Sequence, residues 1–300
     1  TNLDVETAFL TASLDVPVFI ARPDGFEDIV PDGYCILLHG AVYGLPTSPR
    51  LFNRELSGFL RTLGFKQCIS DPCLFVRRRD DKLIIIALVV DDLIIAHDGD
   101  IEPLIAELEQ KYSMTNLGEL KHVLGMEVIR DRDKRLVYLS QHDYIDKMLR
   151  RFGLDGDKVT THDTPARADA KLSVSSGKTN EHEDDDWFDD DGEVRSGIKL
   201  PYRSLVGSLL YLSICTRPDI AFAVGACSRF VSNPRKAHWV AAKRILRYVK
   251  KTSQIRLPLG GLVRFVHVWT DADLAGDNVH GCDTHKSTSS MLFFYGVGLV

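Results

Sequence analysis

The sequence lacks the features of a disulfide-stabilised or membrane-spanning protein. Its six cysteines, among 300 residues, include no Cys-x-x-Cys pair, and no signal peptide precedes them. We therefore expect a reduced, intracellular protein with small buried thiols, not a secreted one. No apolar run approaches the ~20 residues that a transmembrane helix requires, so no membrane partner is expected.

The sequence also lacks the excess of positive charge that a nucleic-acid-binding protein normally has. Its formal net charge is −5, but nine acidic side chains lie between residues 177 and 197 against only Lys178 and Arg195. This stretch therefore carries −7 and the rest of the chain +2. The remaining parts are mildly basic, which permits a phosphate-rich partner without proving one.

Two adjacent carboxylates interrupt a long apolar stretch. Residues 83–90 and 93–96 are apolar enough for strands covered on both faces, and Asp91 and Asp92 lie between them. A plain hairpin turn is one interpretation, although the favoured two-residue turns contain Asn-Gly or Asp-Gly. Adjacent like charges repel unless a cation compensates them, and carboxylates are usual ligands of magnesium. The pattern therefore favours a metal site over a plain turn.

A two-metal site needs more than this one pair of acids. Ions ~4 Å apart require bridging ligands, so a third acid should come from a neighbouring strand. Asp4 is the best candidate, because it ends an expected strand near the start of the chain. Taken alone, Asp4 is better explained as the N-cap of the segment that follows.

Three short segments follow one another along the chain: residues 4–10 (DVETAFL), 42–50 (VYGLPTSPR) and 89–92 (VVDD). They resemble, in the same order, the three catalytic motifs of copia-type reverse transcriptases. Further matches are residues 117–128 in the primer-grip region, 215–221 (CTRPDIA), 238–248, and 270–277 (TDADLAGD). The resemblance covers nearly the whole chain except the acidic stretch.

The resemblance implies a two-ion catalytic centre. Asp4 and Asp91 would hold two Mg2+ ions, with Mn2+ as an alternative and the backbone carbonyl of Val5 as a further ligand, while Asp92 would support the site more loosely. One ion would lower the pKa of the primer 3′-hydroxyl and the other would neutralise the triphosphate and the leaving pyrophosphate. The implied partners are an RNA template, a DNA primer and deoxynucleoside triphosphates.

The resemblance also assigns residues that contact the nucleotide. Phe9 would fill the space of a ribose 2′-hydroxyl and so favour deoxynucleotides, although without the resemblance a core aromatic is nearly as good an explanation. Tyr43 and Gly44 would line the incoming nucleotide, because glycine allows the backbone to come close.

Residues that contact the primer are implied in a single motif. They are Leu124, Gly125 and Met126, which on their own would be interpreted as strand core. Scattered basic residues could follow phosphates, although such residues more often form a solvated surface. They are Arg50, Arg54, Lys121, Arg244, Arg247 and Lys250.

The last motif is similar to the start of ribonuclease H. Asp271 would end the first strand of that unit and be the first of four metal-binding acids, whereas Asp273 and Asp277 are expected in a loop. The other three acids of the family pattern would lie further along than this sequence extends. Because an incomplete set of carboxylates cannot hold two ions, we expect no RNA cleavage by this chain. Residues 280–285, which contain two histidines and a cysteine, match no zinc spacing and are expected to form an ordinary loop.

The resemblance implies an α+β fold. It would comprise a polymerase palm with an antiparallel sheet and helices packed on one face, a helical thumb/connection, and a truncated ribonuclease-H-like α/β unit. The expected domains are 1–154 (palm, primer grip and start of the thumb), 155–200 (acidic disordered linker), 201–252 (thumb/connection) and 253–300 (start of the ribonuclease-H-like unit). A cytoplasmic, nuclear or virus-like-particle location would follow.

Departures from the family pattern leave rival hypotheses open. Val90 replaces an aromatic residue, Pro46 and Thr47 replace a Lys-Gln pair, and Leu274 replaces a tryptophan. The chain starts at Thr1 and both of its ends look cut, so the fingers subdomain is expected to be missing and activity in isolation weak. The first hypothesis is a polymerase that is active when complete, and the second is a degenerate relic that at most binds nucleic acid. A palm-type cyclase would explain the two acids but not the later motifs.

Overall fold

The computed structural model describes two compact units. It covers residues 1–79, 81–167, 172–173, 187–188, 194–197, 199–261, 265–274 and 287–299. The units are Thr1–Leu120 and Lys121–Val300. Both contain helices and strands, so the expected α+β class is confirmed. The division into palm, thumb and ribonuclease-H-like parts, with its boundaries, stays a prediction.

An antiparallel sheet forms the centre of the first unit. Its strands follow the order β4-β5-β6-β7-β1-β8, and a separate ribbon pairs β2 with β3. Strand β1 lies between β7 and β8 and is far in sequence from both. The strands are β1 Asn2–Val5, β2 Ser13–Ala21, β3 Cys35–Gly40, β4 Lys66–Gln67, β5 Leu74–Arg79, β6 Lys82–Val89, β7 Asp92–His97 and β8 Met114–Gly118.

Two helices cover one face of this sheet. They are α1 Ser48–Thr62 and α2 Glu102–Lys111, each with a proline in its first turn, where the missing N–H costs little. Apolar residues at helical spacing in α1, such as Leu56 and Leu60, are fully buried in one cluster with the strands. Each such leucine contributes about 1.5–3 kcal/mol relative to an exposed side chain.

The opposite face of the sheet is more open. In β6, Ile84, Ile86 and Leu88 are buried, whereas the alternating Ile85 and Ala87 remain partly exposed. Successive side chains of a strand point to opposite faces, so only the helix-covered face is fully packed. The expectation that these strands are covered on both faces is therefore wrong for one face.

The second unit combines a helical core with two small sheets. One sheet has the strand order β12-β11-β10-β9 and the other β13-β14-β15. The helices share a buried cluster that includes Leu205, Leu209, Trp239 and Leu246. The elements are β9 His122–Val123, β10 Met126–Asp131, β11 Leu136–Ser140, α3 His142–Arg151, α4 Tyr202–Cys215, α5 Ala221–Ser228, α6 Lys236–Lys251, β12 Leu257–Gly260, β13 Val266–Asp273, β14 Thr288–Tyr295 and β15 Gly298–Leu299.

Aromatic residues within the expected linker belong to this helical core. Phe188 is only 2% exposed, and the Trp187 ring lies 5.7 Å from the ring of Trp239 in α6. A disordered linker was expected over 155–200, and at these two positions the structure shows packing instead. The burial of Phe188 and the partial burial of Trp187 remove apolar surface from water, which opposes the entropy cost of ordering these residues.

The described residues contain no helix that is both long enough and apolar enough to cross a membrane. Within the part of the chain that the structure describes, the longest helix, α6, has only 16 residues.

Candidate active site

The turn between β6 and β7 is formed by Val90 and Asp91. Val89 pairs with Asp92, so Asp92 is already part of β7. This corrects the expectation that Asp91 and Asp92 together separate the strands. Val90 has φ +59° and is 57% exposed, a conformation that costs a β-branched residue about 1–3 kcal/mol. The turn places Asp91 at the tip and Asp92 on the strand.

Asp4 lies beside this turn. Strands β1 and β7 are antiparallel, and Asp4 is the direct partner of Asp92. The backbone N–H of Val5 donates to the carbonyl of Asp91 over 3.1 Å, which fixes the tip against β1. Three acidic residues from two distant parts of the chain therefore occupy neighbouring backbone positions. The metal-ligand role of the Val5 carbonyl stays a prediction.

The electrostatics of the site reflect this crowding. The pKa of Asp4 is raised, first by partial burial and then by the charges of Asp91, Asp92 and Glu6. A cation at this position would relieve the repulsion and favour the ionised form.

Glu6 is a fourth acid that the motif comparison did not single out. Its carboxylate accepts hydrogen bonds from Ser113 Oγ at 2.8 Å and Thr115 Oγ1 at 3.0 Å. These bonds lower its pKa. Its N–H donates to the carbonyl of Ser113, so Glu6 continues the strand ladder. The available signal was its i, i+2 spacing from Asp4, which places both side chains on one face of a strand.

The carboxylates of Asp4, Asp91 and Asp92 are suitable ligands for a hard divalent cation, but their side chains are not already arranged around one position. Among the described residues, no three carboxylate, imidazole or thiolate groups already form a metal-binding cluster. The backbone brings Asp4, Asp91 and Asp92 into neighbouring positions. Carboxylate oxygens are the ligands that Mg2+ prefers, so sharing an ion requires these side chains to reorient.

The expected nucleotide-contacting residues also come together. Phe9 lies in a short 3-10 helix, Ala8–Thr11, and its ring centroid is 4.7 Å from that of Tyr43 and 6.3 Å from that of Phe52. Because Phe52 is buried in α1, the partly exposed Phe9 ring is anchored on the core rather than inside it. Gly44 follows Tyr43 with φ +101°, a conformation that glycine adopts without steric cost.

The expected primer-contacting residues lie in the second unit. Leu124 and Gly125 form the two-residue turn between β9 and β10, and Met126 is the first, buried residue of β10. The interpretation of Leu124 and Gly125 as strand core is therefore wrong, because both have positive φ and Leu124 is 60% exposed.

Asp271 lies on β13 opposite Ser290 of β14 and is exposed. Its Oδ1 accepts the N–H of Ala272 over 2.9 Å. The strand continues to Asp273 instead of ending at Asp271, because both residues pair with β14. Asp277 and residues 280–285 lie outside the described residues.

Several basic residues that could follow phosphates already have partners within the chain. Arg50 and Arg54 reach Asp15 at 2.8 and 3.7 Å. In α6, Arg244 donates to Thr164 Oγ1, and Lys250 donates to a backbone carbonyl. A phosphate would have to compete with these internal acceptors, so these positions support nucleic-acid binding less than the sequence indicated.

Comparison with known proteins places these observations in a family. Residues 1–167 match the family model described as reverse transcriptase (RNA-dependent DNA polymerase). The chain is 36% identical over 302 residues to the retrovirus-related Pol polyprotein from transposon TNT 1-94 of Nicotiana tabacum, covering 100% of the chain and 22% of the polyprotein. The corresponding polyprotein from transposon RE1 of Arabidopsis thaliana is 35% identical, with 98% of the chain and 19% of the polyprotein covered.

A shorter relative is covered over most of its length. The transposon Ty5-1 protein of Saccharomyces cerevisiae is 32% identical over 257 residues, which is 85% of this chain and 77% of that protein. By contrast, the chain spans about a fifth of the two plant polyproteins. The family match covers more than half of the residues and includes Asp4, Asp91 and Asp92. The chain therefore belongs to the reverse transcriptase family of copia-type retrotransposons.

Proposed function

We propose that this chain carries the catalytic residues of an RNA-directed DNA polymerase. The observation that carries the proposal is the pairing of Asp4 with Asp92 across β1 and β7, with Asp91 held at the adjacent turn. Two sequence motifs separated by more than 80 residues thereby place acidic residues where β1 ends and β7 begins, at the same end of the sheet. Membership of the reverse transcriptase family supports the same activity.

Asp4 and Asp91 would hold two Mg2+ ions, assisted by Asp92 and the Val5 carbonyl. Bound Mg2+ would supply charge neutralisation at the triphosphate and a lowered pKa at the attacking hydroxyl. The protein contributes the position of the carboxylates, since the Val5 N–H bond to Asp91 ties the turn to β1. Val90, which precedes Asp91 in the same turn, has the strained φ of +59°.

Substrate selection would depend on the aromatic pair of Phe9 and Tyr43. Their ring centroids are 4.7 Å apart, and the ring of Phe52 packs edge to face against that of Phe9. A ring fixed in this way cannot move aside easily, so Phe9 would exclude a ribose 2′-hydroxyl by contact. The proposed substrates are deoxynucleoside triphosphates, and the proposed nucleic acid is a DNA primer on an RNA template.

A primer-extension assay tests the proposal. The chain would be supplied with a DNA primer, an RNA template, deoxynucleoside triphosphates and Mg2+, and compared with Asp91→Asn. Loss of a metal ligand should cost at least the ~10–100-fold that loss of an outer-shell partner costs. Asp81→Asn is the matched control, because Asp81 is exposed at the opposite end of β6 with φ +60°, which asparagine tolerates.

The same assay separates polymerase from relic. The chain should also be tested in a chimera in which it replaces the matching 22% of the tobacco polyprotein. Incorporation that depends on Asp91 but not on Asp81 supports the proposal. Absence of incorporation both in the chain and in the chimera would refute it and favour a non-catalytic relic.

A further inference from the structure

The turn that joins β9 and β10 has an unfavourable residue at its first position. Met126 pairs with Val123, which leaves Leu124 and Gly125 as a two-residue turn with φ values of +48° and +73°. Such turns normally contain Asn-Gly, because both positions need positive φ. Gly125 meets that need, whereas Leu124 does not. The conformation of Leu124 therefore has to be held by contacts outside the turn.

Tyr211 provides such a contact. It lies on α4, 87 residues along the chain, and its hydroxyl donates a hydrogen bond to the carbonyl oxygen of Leu124. The same hydroxyl oxygen would lie 3.5 Å from a Cβ atom placed on Gly125. One side-chain oxygen thus binds the first residue of the turn and closely approaches the second.

The Tyr211 ring is itself held in place. The ring of Tyr144, on α3, meets it edge to face at a centroid distance of 5.1 Å and an angle of 75°. The Tyr144 hydroxyl makes a separate and longer contact, with the carbonyl of Ser208 at 3.4 Å. Leu209 and Leu212, which flank Tyr211, are fully buried. The Tyr211 hydroxyl that binds the turn therefore belongs to a side chain that is packed against the helical core.

We propose that Tyr211 is a positioning residue that holds the Leu124-Gly125 turn in the shape required to bind the end of the primer. This inference rests on the proposed function and on the primer contact that the family resemblance implies for residues 124–126. The structure supports the division of roles, because Met126 is buried at the base of the turn while Leu124 is 60% exposed. Leu124 and Gly125 would touch the primer, and Tyr211 would act through them.

The test compares Tyr211→Phe with Tyr144→Phe. Each substitution removes one hydroxyl from the same aromatic pair, but only the first removes the bond to Leu124. Two quantities would be measured: amide hydrogen exchange of residues 122–128, and the Kd of a primer–template duplex by fluorescence anisotropy without nucleotides. Tyr211→Phe should accelerate exchange and raise Kd roughly three- to tenfold, the factor that corresponds to one hydrogen bond. Tyr144→Phe keeps the ring that packs against Tyr211 and loses only the 3.4 Å contact to Ser208, which is longer than an ordinary O–H···O hydrogen bond. It should therefore change neither quantity by more than about twofold.

A rescue variant keeps the test decisive if Tyr211→Phe destabilises the unit. Leu124→Asn introduces a residue that accepts positive φ, so in that background Tyr211→Phe should have a smaller effect on exchange. Unchanged exchange in Tyr211→Phe, or faster exchange with unchanged primer Kd, overturns the inference. Neither measurement requires incorporation, so failure of the proposed polymerase activity appears separately, in the primer-extension assay.

Discussion

The buried arginine at the end of α4 offers the sharpest test of what stabilises the second unit. Arg217 is fully buried, and its Nε and Nη2 atoms donate to the two carboxylate oxygens of Asp219 at 2.9 and 2.8 Å. Its remaining donors reach the carbonyl of Thr252 at 3.0 Å and the hydroxyl of Thr252 at 2.6 Å. The hydroxyl of Tyr248 completes the cluster with a 2.8 Å bond to Asp219. The cluster thus connects the segment after α4 to the end of α6.

Arg217→Ala is expected to destabilise this unit by about 3 kcal/mol. Removing one partner of a buried ion pair costs about 3–5 kcal/mol, because the other charge is left uncompensated. The lower end applies here because the side chain of Asp219 is 36% exposed and water can replace part of the lost interaction. For a unit of this size the loss corresponds to a fall in Tm of about 6–12 °C.

The pKa of Asp219 determines how the stability of the second unit changes with pH. Burial alone would raise the pKa of Asp219, but the hydrogen bonds from Arg217 and Tyr248 outweigh it, so the net pKa is lowered. The stabilisation is therefore fully present above the unfolded pKa of ~3.9 and is lost as the pH falls through the lower folded pKa. Arg217→Ala should lose most of this acid dependence.

Urea denaturation followed by circular dichroism would measure the effect. Arg203→Ala is the control, because Arg203 is exposed on α4, and such surface changes usually stay within ±0.5 kcal/mol. A loss of less than 1 kcal/mol in Arg217→Ala, or an equal loss in the control, would show that the cluster does not stabilise the unit.

Three further predictions concern individual side chains. Asp4→Asn should raise the Tm measured in EDTA, because it relieves carboxylate repulsion that destabilises the fold by about 0.5–1 kcal/mol at a partly exposed group. It should also reduce the rise in Tm that added Mg2+ causes. A lower Tm in EDTA would contradict this prediction. Val90→Asn should stabilise by about 1 kcal/mol in urea titrations, since asparagine tolerates φ +59°; a loss would show that no strain is stored there. The buried His238 accepts the Arg235 N–H at Nδ1 and donates from Nε2 to the Ser173 carbonyl, and burial lowers its pKa. Stability should therefore fall as the pH drops below ~6.5, with a smaller fall in His238→Gln; equal slopes would exclude His238 as the cause.

The helices were largely predictable because their signals are local. In the segment 49–63, apolar residues recur at helical spacing (Leu51, Phe52, Leu56, Phe59, Leu60 and Leu63) and predict a helix. The structure confirms it as α1, Ser48–Thr62. The sequence also predicts one helix over residues 218–231, with Pro218 in its first turn. The structure instead has a 3-10 helix, Pro218–Ile220, followed by the shorter α5. The chain between α4 and α5 contains the buried Arg217, which bonds Asp219 and the distant Thr252. A local sequence pattern contains no information about a contact with Thr252.

The candidate site was predictable in part. Motif resemblance selected Asp4, Asp91 and Phe9 as a set, and the structure brings Asp4 beside the turn and Phe9 beside Tyr43. It did not select Glu6, whose hydroxyl partners lie more than 100 residues away. Residue type and spacing carry no information about a partner on a strand that pairs only after folding.

The sequence by itself determined the apolar strands, the helix periodicities and the order of the motifs, because each depends on neighbouring residues. Only the tertiary structure decided that Asp4 faces Asp92, that the turn is Val90-Asp91, and that Tyr211 reaches Leu124. These outcomes depend on strand register and on how helices pack, and a slip of one residue would turn every side chain of a strand to the other face. That register follows from burying the apolar residues of the sheet against α1 and α2, a property of the whole unit.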